Sequence, residues 1–370
     1  MKILIPVLNF GKSGGNRVLS KIADELIDLG HSVDFISSEA SSEPYFPTKA
    51  SIKWIKSNGL TTEEHIKDAS LKDSAFSIQQ KLTKALKKIS KDSYDVILAN
   101  HSLTTLPIKK AGLTHKTLYY VQAYEPDFYD NAGGTKNKIL AYLSKKSYKM
   151  NLFTIVNAEV YLNYKKLKAS RVLYPGIDFS LFYPKEVKSV QSKKRSTNNK
   201  IIIGTVGRAE SFKGTRYIIE AFGILRANYP SSQLHVAFGN PMDFQNQDGI
   251  YCFKPEGDKD LGDFYRSLDY YICAGYIQFG AFHYPVAEAM SCGIPVITTP
   301  YYPANESNAW MIKPRNSMEI VNQFELSMNN CTLKEKKVRQ ALNDVKQFDW
   351  IKVGERLDNF LKEFLDSKKQ

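Results

Sequence analysis

Residues 280–299 place the parts of an anion site one after another: a loop with Phe282, His283 and Tyr284, a proline at 285, a helical pattern carrying Glu288, and an apolar run around Val296 and Ile297. Pro285 suits the first turn of a helix, where a missing N–H leaves no bond unmade. The amides of Phe282, His283 and Tyr284 then lie at the positive end of the helix dipole, ready to donate to a phosphate. Glu288, one turn on, is within reach of a ribose diol. The same pattern also suits an ordinary loop, helix and strand of an α/β domain.

A second candidate anion site precedes it. Ile201, Ile202, Ile203 and Val206 form a β-branched run of buried-strand type, followed at once by Gly207, Arg208, Lys213 and Gly214 and then by a helical stripe of Tyr217, Ile218, Ala221 and Phe222. Arg208 offers a planar fork to phosphate oxygens and Lys213 a compact point charge, a pair suited to a departing diphosphate. Loop cations are also commonly just solvated.

Strands and helices must carry these loops to a common edge. Lys2 to Val7 reads as a first strand, Asn9 to Asn16 as a flexible glycine loop, and Val18, Leu19, Ile22, Leu26 and Ile27 as a helical stripe closed by Gly30, with the next strand from His31. This is the first βαβ unit of a doubly wound sheet, in which ligands sit beyond the carboxyl ends of the strands. Gly14 and Gly15 are therefore expected at the ligand cleft, where backbone can approach a sugar or phosphate. The spacing is not the dinucleotide fingerprint, which counts against a dehydrogenase. His101 follows the strand Tyr94 to Asn100 and is expected at the same edge, where it either meets a hydroxyl or serves structure.

Gly207, Arg208, Lys213 and Gly214, together with Pro285, Glu288, Ala289, Met290 and the run Cys292, Gly293, Pro295, Val296 and Ile297, resemble the retaining glycosyltransferases of family 4. Pro175 to Asp178 with Phe182 to Pro184 is similar to that family's domain junction, and Phe348, Asp349 and Trp350 to the opening of its last helix. The resemblance implies an α/β GT-B fold: two Rossmann-like doubly wound domains facing across a cleft, with a C-terminal helix crossing back to the first. It implies transfer of a sugar from a nucleotide-diphosphate donor to a glycan, lipid-linked or other acceptor hydroxyl with retention, and no obligatory metal or other cofactor. Arg208 and Lys213 are then catalytic, and Gly14, Gly15, Gly207, Phe282, His283, Tyr284 and Glu288 bind the donor.

Two departures qualify the resemblance. The first of the family's two carboxylates falls on Gly280, so its role passes to Gln278, Glu125 or Asp127, or is lost. Gln122 stands where many members carry a catalytic-site His, and it joins His101 as a candidate. The run Val121, Gln122, Tyr124, Glu125, Pro126 and Phe128 is similar to a subgroup that includes bacterial rhamnan-type rhamnosyltransferases. The loss of the first acid also admits a catalytically silent nucleotide-sugar or glycan-binding relative, and a GT-B epimerase is a further alternative.

The chain's 370 residues exceed one comfortable core, which saturates at ~250–300 residues. Domains are expected at 1–180 and 181–346, with residues 347–370 as the crossover helix and a basic surface excursion over 185–200. The net charge of +13 biases association toward anionic surfaces. It concentrates in two helical patterns, Lys81 to Lys91 and Gly134 to Lys149, which suit either a solvated face or an anionic membrane reached by a lipid-borne acceptor. No aromatic-basic interleaving marks a nucleic-acid partner. The four cysteines, Cys252, Cys273, Cys292 and Cys331, are irregularly spaced and read as free thiols. With neither a leader pattern nor an apolar run near the ~20 residues of a membrane span, a cytoplasmic protein at or near the inner membrane face is expected.

Overall fold

The computed structural model describes residues 1–65, 73–89, 92–185, 200–207, 210–239 and 248–368. Arg208 and most of the basic excursion after residue 185 lie outside these residues. The chain divides into two units: Met1–Gly176 with Trp350–Gln370, and Ile177–Asp349. Residues 177–180, expected in the first domain, fall in the second, where the Ile177 N–H donates to the Phe348 carbonyl at 2.7 Å.

In the first unit, apolar runs become strands β1 (Lys2–Pro6), β2 (Ser32–Ser38), β3 (Ser51–Ile55), β4 (Thr61–Thr62), β5 (Val96–Ala99), β6 (Thr117–Val121), β7 (Phe153–Val156) and β8 (Arg171–Val172). They form one sheet in the order β4-β3-β2-β1-β5-β6-β7-β8, parallel except for the β3–β4 edge. Ile3, Leu4 and Ile5 of β1 are fully buried, as a strand covered on both faces requires. The connections are α1 (Gly14–Asp28), α2 (Ala75–Lys88), α3 (Ser102–Lys110), α4 (Glu125–Ala132) and α5 (Gly134–Ser147). The chain runs outward from β1 to β2 and returns on the other side of β1 at β5, which makes β1–β5 a topological switch point.

The second unit carries β9 (Ile202–Val206), α6 (Thr215–Asn228), β10 (Gln233–Ala237), β11 (Ile250–Phe253), α7 (Gly257–Ser267), β12 (Tyr270–Cys273), α8 (Tyr284–Ser291), β13 (Val296–Thr298), β14 (Trp310–Met311), α9 (Ser317–Asn329) and α10 (Cys331–Val345). Its sheet is ordered β11-β10-β9-β12-β13-β14 and parallel throughout. Ile203, Val236, Tyr270, Ile272, Ile297, Trp310 and Phe324 share its core. Counted from β9 the order is 3-2-1-4-5-6, that of the dinucleotide-binding sheet, with its switch point between β9 and β12.

The last helix, α11 (Trp350–Asp366), belongs to the first unit. Its buried stripe of Val353, Leu357, Leu361 and Phe364 follows the helical period expected for a packed amphipathic helix. Asp358 anchors it by accepting from the His31 imidazole at 2.9 Å. Among the described residues no helix is long and apolar enough to cross a membrane.

Candidate functional site

At the β9–β12 switch point the two candidate anion loops of the second unit meet. Gly207 directly follows β9; a Cβ there would lie 2.3 Å from Val236 Cγ1, so the loop starts in contact with β10. Ser211–Lys213 forms a short 3-10 turn closed by Gly214 at φ 74°. A Cβ on Gly214 would stand 2.0 Å from the Ala274 carbonyl oxygen, and the Tyr276 N–H donates to the Phe212 carbonyl at 3.0 Å. The loop after β9 and the loop after β12 are thus laced together, with Lys213 at the seam. Burial raises the Cys273 thiol above its ordinary value, and the charge of Lys213 pulls it the other way.

This close approach yields a prediction. Gly214→Ala places a side chain in left-handed backbone and against a carbonyl, so it should destabilise the protein by more than about 2 kcal/mol in chemical denaturation. A wild-type unfolding curve would refute the contact.

Helix α8 begins as its sequence suggests, with His283 as N-cap and Pro285 in the first turn. The His283 ring stacks on Tyr301 with centroids 4.4 Å apart, and its Nδ1 lies 3.9 Å from Cys273 Sγ. Phe282 packs edge-on against Tyr284 at 5.2 Å and Phe348 at 5.1 Å. One expectation needs correction. The His283 amide is not available to a ligand, because it donates to the Tyr302 carbonyl at 2.9 Å, and the Tyr302 amide answers to the Ala281 carbonyl at 3.0 Å. Glu288 is 1% exposed, and its Oε2 accepts from the Tyr265 hydroxyl of α7 at 2.9 Å.

In the first unit, the carboxyl ends of β1, β5 and β6 gather the other candidates. Gly14 and Gly15 are not loop residues: they open α1, whose N-cap Ser13 accepts from the Asn16 N–H. The helix starts early because a serine hydroxyl can satisfy an amide of the first turn. A Cβ on Gly15 would lie 3.4 Å from Gln122 Oε1, so the start of α1 and the end of β6 touch. The Gln122 carbonyl accepts from Asn157 Nδ2 at 2.6 Å. His101, after β5, caps α3: its Nδ1 accepts from the Leu103 N–H at 3.0 Å, which leaves the proton on Nε2. Burial pushes its pKa down to about 4, so the ring is neutral at physiological pH and presents a donor.

Glu125 opens α4 just beyond Gln122. Its Oε1 accepts from the Ser102 N–H of α3 at 3.1 Å, and its Oε2 accepts from the Tyr148 hydroxyl. The Tyr148 ring stacks with Tyr119 at 6.0 Å and Tyr124 at 5.5 Å. Burial raises the carboxyl to about 7 against the opposing pull of the Ser102 amide.

Known proteins resemble the second unit in sequence and the chain in fold. Residues 200–330 match the family of glycosyl transferases group 1. The chain carries a group 1 glycosyltransferase domain. An uncharacterized glycosyltransferase of Haemophilus influenzae is 25% identical over 353 residues, covering 89% of this chain and 91% of that protein. Sucrose-phosphate synthase from Thermosynechococcus elongatus shares the fold with a TM-score of 0.76 at 15% identity, covering 99% of each chain. Anabaena Alr3699/HepE, solved with UDP and glucose, gives 0.69 at 14% identity over 98% of this chain and 100% of that one. The protein thus stands among the glycosyltransferases, with the two parallel-sheet α/β units of the GT-B fold.

Within this glycosyltransferase, the structure brings the Lys213 loop against the loop that leads into α8 in one unit and Gly15 against Gln122 in the other. It also gives the missing first acid a backbone reason. Gly280 sits at φ 78° and Gln278 at φ 53°, and the Gly280 N–H donates to the Pro300 carbonyl at 2.7 Å. A glutamate at 280 would be forced into left-handed backbone, which side-chain-bearing residues adopt rarely. Glu125, a candidate substitute, has both oxygens engaged within the first unit. Tyr265 and Tyr148 escape sequence reasoning because each looks like any core aromatic until its hydroxyl partner is known.

Proposed function

We propose that this glycosyltransferase moves a sugar from a nucleoside-diphosphate sugar to the hydroxyl of a glycan or lipid-linked acceptor, with retention at the anomeric carbon. The observation that carries the reading is the seam at the β9–β12 switch point, where the Lys213 loop is hydrogen-bonded to the loop leading into α8. As the sugar–phosphate bond loosens, negative charge grows on the leaving diphosphate, and preorganised cations lower the barrier most where that charge develops. Lys213 and Arg208 supply the charge, and the start of α8 adds its dipole. The UDP bound by Anabaena Alr3699/HepE supports a diphosphate donor. In the first unit, Gln122 and the Nε2–H of neutral His101 are the groups assigned to the sugar and acceptor hydroxyls. Glu288 is assigned to the ribose, with the Tyr265 hydroxyl fixing its carboxylate.

The acceptor-side unit carries a surface that suits a lipid-borne acceptor. Along α5, Ile139 is 45% and Tyr142 57% exposed, with exposed Lys138 and Lys146 on the same stripe and exposed Lys149 just beyond the helix end. Such a face combines apolar insertion with attraction to anionic headgroups.

A thermal-shift series with UDP, GDP, ADP and dTDP and their sugars tests the reading. The right nucleotide at ~100 times its dissociation constant should stabilise the protein by ~2.7 kcal/mol, and the absence of any shift with all four sinks the donor assignment. Gly280 favours one second reading, a silent donor-binding relative. That case would show the same shift with neither transfer nor donor hydrolysis over a broad acceptor panel.

A further inference from the structure

We propose that Phe238 is the platform on which the nucleobase of the donor stacks. The inference rests on the nucleoside-diphosphate reading above and adds the recognition of the base. Phe238 follows directly on β10, the second strand of the 3-2-1-4-5-6 order. In a sheet of this order the phosphates sit at the turn after the first strand, and the nucleoside extends over the end of the second.

The local backbone supports that role. Phe238 adopts φ 59°, a left-handed conformation that is a genuine outlier for a bulky side chain and that persists at functional positions. It is locked there: its N–H donates to the Phe253 carbonyl at 2.7 Å. The next residue, Gly239, reaches the phosphate loop, since a Cβ on Gly207 would lie 3.5 Å from Gly239 Cα. The strained residue therefore stands beside the turn that receives the diphosphate.

Phe238 is 43% exposed, and among the described residues no aromatic ring packs against it. Neighbouring Phe253, 40% exposed, is instead occupied by His235 at 4.6 Å and Phe264 at 6.0 Å. An exposed, rigidly presented phenyl ring at a nucleotide edge is what base stacking uses, and every base has a face to offer. Glycine would satisfy this backbone with less strain and no ring.

Phe238→Gly removes the ring and relaxes the backbone, so the variant should fold at least as well as the parent. Binding of UDP, GDP, ADP and dTDP and of inorganic pyrophosphate to the full chain would be measured by calorimetry for the parent, Phe238→Gly and Phe238→Tyr. Phe238→Gly should weaken the best-bound nucleotide about 10- to 30-fold, leave pyrophosphate within about 2-fold, and be rescued by Phe238→Tyr. Unchanged nucleotide affinity in Phe238→Gly, or an equal loss for nucleotide and pyrophosphate, overturns the platform alone. A parent that binds none of the four nucleotides overturns the donor reading and the platform together.

Discussion

Lys213→Ala is expected to lower turnover by at least ~100-fold, or about 2.7 kcal/mol of transition-state stabilisation, the usual scale for losing one preorganised donor to a developing anion. The fold should be unaffected. Lys213 is only partly buried, and its contact with the neighbouring Phe212 ring, 5.6 Å from the ammonium to the centroid, is local. The loop itself is held by backbone contacts of Gly214 and Tyr276 that the substitution does not touch. Steady-state kinetics with the donor found by the nucleotide series should show the loss mainly in kcat, because charge on the diphosphate is greatest in the transition state. Arg208→Ala is expected to behave alike. Wild-type-like transfer by the double variant would remove the basis of the assignment.

The second large effect is a pair of opposed pH dependences in the first unit. Glu125 has an ordinary value of 4.5 and is raised to about 7 in the fold by burial. The folded chain thus holds this proton more tightly than the unfolded one, so the carboxyl's contribution is whole below about pH 4.5 and is lost as pH rises through about 7. His101 runs the other way: burial depresses it from 6.5 to about 4. Its contribution is present above about pH 6.5 and lost as pH falls through about 4. Tyr148 donates its hydroxyl to Glu125, and the nearby Tyr119 and Tyr129 are raised further above their ordinary values by burial, well clear of this window.

Glu125→Gln keeps an acceptor for the Ser102 amide and removes the titration. Its stability relative to the parent should therefore rise by about 3 kcal/mol between about pH 4.5 and pH 7.5, since each tenfold difference in proton affinity between folded and unfolded chain is worth about 1.4 kcal/mol. His101→Asn, which keeps a capping side chain, should fall relative to the parent over the same range. Urea unfolding of each variant and the parent at matched pH reads both slopes. A flat difference curve for Glu125→Gln would show that its carboxyl is ionised in the fold at acid pH, contrary to its buried setting.

What the amino-acid order determined here is what short-range chemistry can determine. Ile201 to Val206 had to be a buried strand, Pro285 had to open a helix, and Val353, Leu357, Leu361 and Phe364 had to share a face, because each follows from period, side-chain type or a missing N–H within a few residues. Even at short range the cues compete: the glycines before Asn16 suggest a loose loop, and the capping bond from Ser13 overrides them by starting α1 at Gly14.

Tertiary structure decided the rest. Whether the His283 amide is open to a phosphate depends on Tyr302, and whether Glu125 is an available acid depends on Ser102 and Tyr148, partners far along the chain that no local pattern names. The sign of φ at Phe238 and Gly280 likewise comes from strand ends and a returning loop, because bond partners and backbone handedness are settled only when distant segments pack and every buried amide must find an acceptor.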